Sequence, residues 1–350
     1  MQITTIGLDL AKNVMQVHGI DVGGNSVLRK KLRRADVIRF FAELSPCLVG
    51  MEACATAHHW AREVTKLGHT VKLIPPTYVK PYVRRGKNDA IDAEAICEAV
   101  SRPSMRFVPV KSREQQAVLM LHRTRALLVR QRTMIINAWR GHLAEFGFVV
   151  AKGIGQVPEL IAKVFSVNPQ AASIPTIART AIAPLVVQID ELTKQIKQIE
   201  KQLLAWHKTS DASRRLATIP GVGLITATAL AATVIDPLHF KSGRQFAAWL
   251  GLTPRQNSSG GKNRLGSISK MGDRYLRTLL IVGATSIIRY ARSNASTGTS
   301  WVNSLLAKKP ARLVSVALAN KTARVAWAIL ARGQVYRAPE SSRQSMPVAA

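Results

Sequence analysis

Four carboxylates in the first hundred residues stand where an apolar run ends or a helical pattern begins. Asp9 follows the run ITTIGL, and Glu52 follows CLVGM. Asp89 and Asp92, in NDAIDAEAICEAV, are three residues apart, so both side chains lie on one face of a helix. A single acid at a strand end is typical of a cap or turn residue, and a single acid in a first helical turn is favoured by the helix dipole, so neither alone indicates a site. Brought together, they have the hard oxygen ligands of a two-metal phosphoryl-transfer site.

The elements around these acids must be short strands that end at one edge of a sheet. The pattern predicts strands at 3–10, 14–20, 26–32, 47–51 and 71–74 and helices at 35–44 and 57–67. Three antiparallel strands followed by helix, strand, helix and strand is the order of the ribonuclease H-like α/β fold. In the first strand, Ile6 and Leu8 share a bulky face, and Gly7 and Asp9 share a small face. This alternation suits a sheet that packs helices on one side and holds a charged site on the other.

The charge of the chain restricts the class of partner. Lys and Arg number 50 against 20 acids, which gives a formal charge of +30 over 350 residues. Nucleic acid is the simplest polyanion that balances such an excess. No apolar run approaches the roughly 18 residues of a spanning helix, and no signal peptide is apparent, so we expect no membrane and a cytoplasmic protein.

The middle of the chain has a helical periodicity. A basic helical pattern runs from about 109 to 147, and apolar residues then recur at steps of four and three between 185 and 206. Such a heptad seam predicts a coiled coil. Its partner is either the preceding helix of the same chain or a second protomer, and the sequence leaves both open. The seam residues are Leu185, Ile189, Leu192, Ile196, Ile199, Leu203 and Trp206.

Two segments of the C-terminal half have phosphate-binding patterns. TIPGVG, at 218–223, has the form of a helix-hairpin-helix turn, whose glycines let the backbone approach a phosphate. Downstream, a Ser-Gly-Gly loop surrounded by cations is either a flexible phosphate-binding linker or a segment that presents a serine hydroxyl to a phosphate. The predicted nucleic-acid contacts are Arg84, Arg85, Lys87, Gly221, Gly223, Arg255, Lys262, Arg264, Lys270, Arg274 and Arg277.

These motifs carry a resemblance to one family. The acids in GLDLAK, MEAC and NDAIDAEA resemble the DEDD motif in the RuvC-like domain of the one-ten insertion-sequence family of transposases, and MEACATAHHW resembles its one-eleven-eleven subgroup. PGVG followed by QFAAWLGLTPRQNSSGGKNRLGSISKMGDRYLRTLL resembles the C-terminal transposase domain of the same family. The serine of that domain corresponds to Ser259, with adjacent Ser258 as the alternative.

The resemblance implies a DNA recombinase. Asp9, Glu52, Asp89 and Asp92 would hold Mg²⁺ at the scissile phosphate, and Ser259 would attack it to form a phosphoserine link. Members of the family are similar in using double-stranded donor and target DNA, a non-coding guide RNA encoded by the element, and sites shared between protomers. We therefore expect an RNA partner, a homo-oligomer that is a dimer or tetramer, and a nucleoid-associated location in a bacterium. The alternatives are a RuvC-like metal nuclease or junction resolvase that uses water, and a non-enzymatic nucleic-acid scaffold.

The predicted architecture has four parts. Residues 1–108 form the RuvC-like α/β domain with the DEDD acids, and residues 109–208 form a helical linker and coiled coil. Residues 209–335 form a mainly α transposase domain with the helix-hairpin-helix-like turn and the serine, and 336–350 form a disordered tail.

Overall fold

A computed structural model of the chain describes residues 2–83, 89–165, 173–262, 264–293 and 300–338, without the side chains of Asp89 and Ser300. Contacts divide the chain into two compact units, 1–112 and 113–350. The N-terminal unit is mixed α/β, and the C-terminal unit is mostly helical. The finer division into four parts stays a prediction.

The N-terminal unit is built on one five-stranded sheet with the strand order β3-β2-β1-β4-β5. The first three strands form an antiparallel meander, and β4 and β5 continue the sheet in parallel with β1. The predicted strands are confirmed, with ends that differ by no more than a few residues. Their bounds are Thr5–Asp9, Val14–Ile20, Ser26–Arg33, Leu48–Glu52 and Thr70–Ile74.

Helices cover both faces of this sheet. Helices α1 (Val37–Ala42) and α2 (Ala57–Lys66) bury the bulky face of β1, and after the short α3 (Pro76–Val79) helix α4 (Asp89–Val100) packs on the opposite face. The alternation in β1 predicts a charged site on its small face and does not predict a helix there. That face is instead covered by a helix, because glycine there leaves room for a backbone.

The glycines of β1 and β4 set how closely α4 approaches. Gly7 and Gly50 are register partners on the two strands. A Cβ atom at Gly7 would lie 2.1 Å from the carbonyl oxygen of Ala93, and one at Gly50 would lie 2.8 Å from Cβ of Val100. Both residues are therefore required by the contact with α4, since any larger side chain would displace the helix.

The C-terminal unit begins with a pair of long helices, α5 (Arg113–Ala144) and α7 (Thr176–Thr209), with α6 (Val157–Phe165) packed beside them. The remaining elements surround a second large core. They are α8 (Asp211–Ala217), α9 (Leu224–Thr233), α10 (Gly243–Trp249), β6 (Pro254–Gln256), β7 (Leu265–Ile268), α11 (Arg274–Ser293), α12 (Ser300–Leu306) and α13 (Ala311–Arg332).

The predicted heptad seam packs within the chain. Ile189, Ile196 and Leu203 of α7 are buried. Two polar contacts along the same pair show that α5 and α7 are antiparallel: Arg125 forms an ion pair with Glu200 at 2.6 Å, and the indole nitrogen of Trp206 donates to Glu114 at 2.8 Å. Helix α5 is thus a partner of the seam, which is the first of the two alternatives that the sequence left open.

Among the described helices, α13 is long and apolar enough to span a membrane by length and composition. Lys321 and Arg324 interrupt this helix, so it contains no continuous apolar run of that length. Its apolar residues, among them Leu318, Ala319 and Ala323, lie in the same core as α9 and α11. This packing accounts for its hydropathy as that of a core helix.

Candidate functional site

Two of the predicted acids end neighbouring parallel strands. Asp9 is the last residue of β1 and Glu52 is the last residue of β4, and the two strands pair with Leu8 opposite Met51. The same register places Asp9 beside Glu52 at one edge of the sheet. Each acid lies two residues beyond a glycine that contacts α4, so both carboxylates are on the face that α4 covers.

Helix α4 brings a third acid to this edge. Asp92 precedes Ala93, whose carbonyl oxygen faces Gly7. Burial, followed by the negative charge of Asp92, raises the pKa of Glu52. These carboxylates therefore repel each other across a partly buried edge, and we call Asp9, Glu52 and Asp92 the acidic edge. Asp89 belongs to the first turn of α4, and its side chain lies outside the described residues.

The pKa of a neighbouring thiol responds to the negative charges of the same acids. Burial raises the pKa of the Cys54 thiol, and the charges of Glu52 and Asp9 raise it further. Both acids therefore act on one point just beyond the end of β4. The sulfur is a weak hydrogen-bond donor to the carbonyl oxygen of Ala55 at 3.3 Å, which is consistent with a protonated thiol.

The acidic edge fits a hard divalent cation in chemical type. Its donors are carboxylate oxygens, and a cation would relieve the repulsion from Asp92, which adds to burial in raising the pKa of Glu52. Within the described residues, no three His, Cys, Asp or Glu side chains lie close enough to hold a metal ion. The side chains thus supply ligands of the right kind at one edge without a closed coordination shell.

The Ser-Gly-Gly loop is the tip of a hairpin that the sequence pattern does not predict. Strands β6 and β7 pair antiparallel, and Ser259 forms a bridge with Lys262. Gly260 and Gly261 have φ values of 54° and 73°, and the Lys262 N–H donates to the Ser259 carbonyl oxygen at 3.1 Å. Two successive positive φ angles are those of a type I′ turn, which explains the Gly-Gly pair.

The two adjacent serines differ in their contacts. Oγ of Ser258 accepts hydrogen bonds from the backbone N–H of Arg264 at 3.1 Å and from Nε2 of Gln256 at 3.3 Å. Ser258 therefore ties the two strands together. Ser259 is exposed, and its hydroxyl makes no hydrogen bond to the residues that the structure describes.

Arg277 closes the base of this hairpin instead of facing solvent. The side chain is buried, and Nη1 donates to the carbonyl oxygens of Leu250 and Met271, both at 2.8 Å. Its guanidinium donates to the backbone, which gives Arg277 a structural role, and its contact with nucleic acid stays a prediction. The other cations predicted on this segment are not buried in this way: Arg255, Lys262, Arg264, Lys270 and Arg274 are exposed.

The glycines of the TIPGVG turn have separate surroundings. Gly221 has φ 79° and packs against α11, where a Cβ atom at Gly283 would lie 2.0 Å from its carbonyl oxygen. Helix packing alone thus explains Gly221. A Cβ atom at Gly223 would meet nothing within 4 Å, and this residue precedes α9, whose first turn has no side-chain cap. Of the remaining predicted contacts, Arg84, Arg85 and Lys87 lie outside the described residues.

Two stretches of the chain match family models. Residues 6–148 match the DEDD transposase model of the IS110 group, and residues 213–298 match the model described as transposase IS116/IS110/IS902 family. The chain is 51% identical to a probable family 20 transposase of Pseudomonas aeruginosa, over 96% of this chain and 99% of the relative. It is also 47% identical to a putative transposase y4pF/y4sB of Sinorhizobium fredii, over 98% of this chain and 88% of the relative.

A further relative is the transposase for insertion sequence element IS1111A of Coxiella burnetii, 39% identical over 96% of this chain and 92% of the relative. The matches span the whole chain and agree with the separate motifs of its two halves. The chain belongs to the IS110/IS116/IS902 family of transposases. It is thus an insertion-sequence transposase of the DEDD class.

Proposed function

We propose that this transposase is a DNA recombinase whose N-terminal unit has a ribonuclease H-like, RuvC-type fold and binds Mg²⁺ through Asp9, Glu52, Asp89 and Asp92. The observation that carries the proposal is the position of Asp9 and Glu52 at the ends of paired parallel strands, with Asp92 of α4 beside them. The sheet order supports the fold, because the two strands that end in acids are the central strand β1 and its neighbour β4. Bound Mg²⁺ would neutralise the phosphate during its transfer.

Ser259 is the proposed nucleophile. Its Oγ loses its proton and forms a bond to the scissile phosphorus while the bond to the leaving deoxyribose oxygen breaks, and that oxygen takes up a proton and leaves as a hydroxyl. The energy of one phosphodiester is thus kept in the other. A free hydroxyl of a second strand then attacks the phosphoserine, releases the serine and completes the strand exchange. The exposed cations Arg255, Lys262 and Arg264 surround the loop and would hold the phosphate charge.

Ser259 is preferred to Ser258 because of the hairpin contacts. The hydroxyl of Ser258 accepts hydrogen bonds from the backbone N–H of Arg264 and the side-chain amide of Gln256. Ser259 lies at the turn and is exposed. A nucleophile must reach its phosphate without breaking the contacts that position it. Ser258 therefore serves as a matched control for the reaction, one residue away and chemically identical.

The reaction is tested by trapping the covalent intermediate. End-labelled DNA that contains the element junction is incubated with the full chain, the RNA that copurifies with it and Mg²⁺, denatured, and then treated with protease. We expect a protease-sensitive adduct with the wild type and with Ser258→Ala, and none with Ser259→Ala, although all three bind DNA. Asp9→Asn, Glu52→Gln, Asp89→Asn and Asp92→Asn should each abolish the adduct. Cleavage by Ser259→Ala without an adduct would favour the nuclease that uses water.

The partners of the reaction follow from charge and family. The chain has a formal charge of +30, far more than the few cations around the serine loop. We propose that the remaining Lys and Arg residues bind donor DNA, target DNA and an element-encoded guide RNA. We also propose a homo-oligomer in which the acidic edge of one protomer and Ser259 of another protomer act on one phosphate, and a cytoplasmic location. Sequencing of RNA that copurifies with the protein tests the guide, because reads should map beside the element's own transposase gene.

A further inference from the structure

The outer strand of the sheet, β3, has cations on both of its faces. Arg29 lies 3.8 Å from Glu94 of α4, whereas the ammonium of Lys30 lies 5.5 Å from the ring centre of Phe40, next to α1 residue Phe41. These neighbours therefore point to opposite sides of the sheet. Because side chains alternate along a strand, Lys31 and Arg33 share the face of Arg29.

That face also holds the acidic edge. Asp9 of β1 is the register partner of Gln16 in β2, and Gln16 is the register partner of Lys31 in β3. Directly opposed residues share a face, so Asp9, Gln16 and Lys31 form one row across the sheet. Neighbouring strands are about 4.8 Å apart, which puts the Lys31 backbone roughly 10 Å from that of Asp9. Arg33 lies one alternation further, opposite Val14.

Lys31, at the end of this row, and Arg33, two residues further along β3, have no acidic partner among the described residues. Lys31 and Arg33 are exposed, and no ion pair involves them in the described part of the chain. By contrast Lys30 and Arg34 lie over the rings of Phe40 and Trp60, at 5.5 and 5.1 Å. Two cations are therefore free to bind an outside anion on the face of the acids, and two are engaged on the other face.

We propose that Lys31 and Arg33 bind the phosphates of duplex DNA and guide the reacting strand onto the acidic edge. The inference rests on the proposed function, since it takes that edge as the reaction site. At about 3.4 Å per nucleotide along one strand, roughly 10 Å corresponds to about three nucleotides from the scissile phosphate. Cations on an outer strand also prevent edge-to-edge aggregation, and this second role is separable by experiment.

The test compares two double variants of equal charge change in one short segment. Lys31→Gln with Arg33→Gln removes the proposed contacts, and Lys30→Gln with Arg34→Gln removes the same charge from the opposite face. The Kd for a junction-containing DNA duplex is measured for the full chain between about 50 and 300 mM salt. Because the first variant lacks two phosphate-binding side chains, its log-log salt slope should fall by about 1.8, and its binding at about 0.1 M salt should weaken at least about tenfold. The control should keep the wild-type slope.

Three outcomes would overturn the proposal. An unchanged slope and Kd for the first variant would exclude DNA contact. Aggregation of that variant with unchanged DNA affinity would assign the cations to protection of the strand edge. Weaker binding of the copurified RNA with unchanged binding of duplex DNA would assign the surface to RNA. All of these readouts are independent of adduct formation, so failure of the serine reaction would not be mistaken for failure of this surface.

Discussion

A single methyl group at Gly7 tests how the acidic edge is assembled. In Gly7→Ala, the new Cβ would lie 2.1 Å from the Ala93 carbonyl oxygen and 2.5 Å from the Cys97 nitrogen. Both are backbone atoms of α4, so no side-chain rotation relieves the contact. The helix has to withdraw by about 0.9 Å to restore a separation of 3.0 Å.

The expected cost follows from the packing. Overpacking of a closed core costs about 1–3 kcal/mol, and a clash with helix backbone belongs at the upper end of that range. Since Asp92 adjoins Ala93, the same withdrawal moves it away from Glu52. A misplacement of about 1 Å in a reacting constellation lowers the rate by about 10²-fold, so adduct formation should fall by about that factor.

Gly19→Ala is the matched control, because it makes the same substitution in the neighbouring strand. Its Cβ would lie 3.2 Å from Cβ of Leu28, a much milder contact that involves side chains. We expect a loss below about 1 kcal/mol in the free energy of unfolding and near wild-type adduct formation. Chemical denaturation and the adduct assay measure both variants. If Gly7→Ala matches the wild type in stability and in adduct formation, α4 does not pack on β1 at Gly7, and the position of Asp92 beside Asp9 and Glu52 is incorrect.

Two further predictions concern the C-terminal unit. Arg277→Met leaves the carbonyl groups of Leu250, which is buried, and of Met271 without their donor, so the free energy of unfolding should fall by about 3 kcal/mol in chemical denaturation, and adduct formation should fall with it. His122 is buried between the hydroxyls of Tyr275 and Thr228, and burial lowers its pKa to about 4. Its stabilising contribution is present above its ordinary pKa of about 6.5 and is lost as the pH falls towards about 4, so His122→Gln should show a shallower acid-induced loss of Tm than the wild type.

Strand alternation made the N-terminal unit predictable, and the packing of α4 was not. Period-two patterns in segments such as 14–20 depend only on neighbours in sequence. The contact of α4 depends on the register that pairs Gly7 with Gly50, and register is a property of two distant segments. The acids were identifiable as residue types for the same local reason, whereas Asp9 and Glu52 became neighbours only through that register.

The serine hairpin and Arg277 were missed for physical reasons. Strands β6 and β7 have three and four residues and are almost wholly exposed, so they lack the hydrophobic alternation that announces a strand. Their pairing depends on the Gly260-Gly261 turn and on the closed base instead. The burial of Arg277 could not be predicted from the sequence either, because nothing in a basic segment indicates which cation donates to backbone carbonyl groups.

The raised pKa of Glu52 leads to a prediction about stability that is independent of activity. Burial and the charge of Asp92 disfavour the ionised carboxylate in the folded chain. The contribution of Glu52 to stability is therefore most favourable below its ordinary pKa and is lost as the pH rises through its raised folded-state value. At neutral pH without divalent ions, Glu52→Gln should thus have a higher Tm than the wild type, and the difference should shrink as the pH is lowered.

Added Mg²⁺ should reverse that order. An ion held by the acidic edge stabilises the folded chain by mass action, and Glu52→Gln removes one of its charged ligands. The Tm of the wild type should therefore rise more with Mg²⁺ than that of the variant. Glu43→Gln, an exposed acid paired with Arg39 at 2.9 Å, is the matched control and should respond to Mg²⁺ as the wild type does. A Glu52→Gln variant that is less stable than the wild type at neutral pH without metal would mean that the carboxylates do not repel each other, and the acidic edge would then have no electrostatic reason to bind a cation.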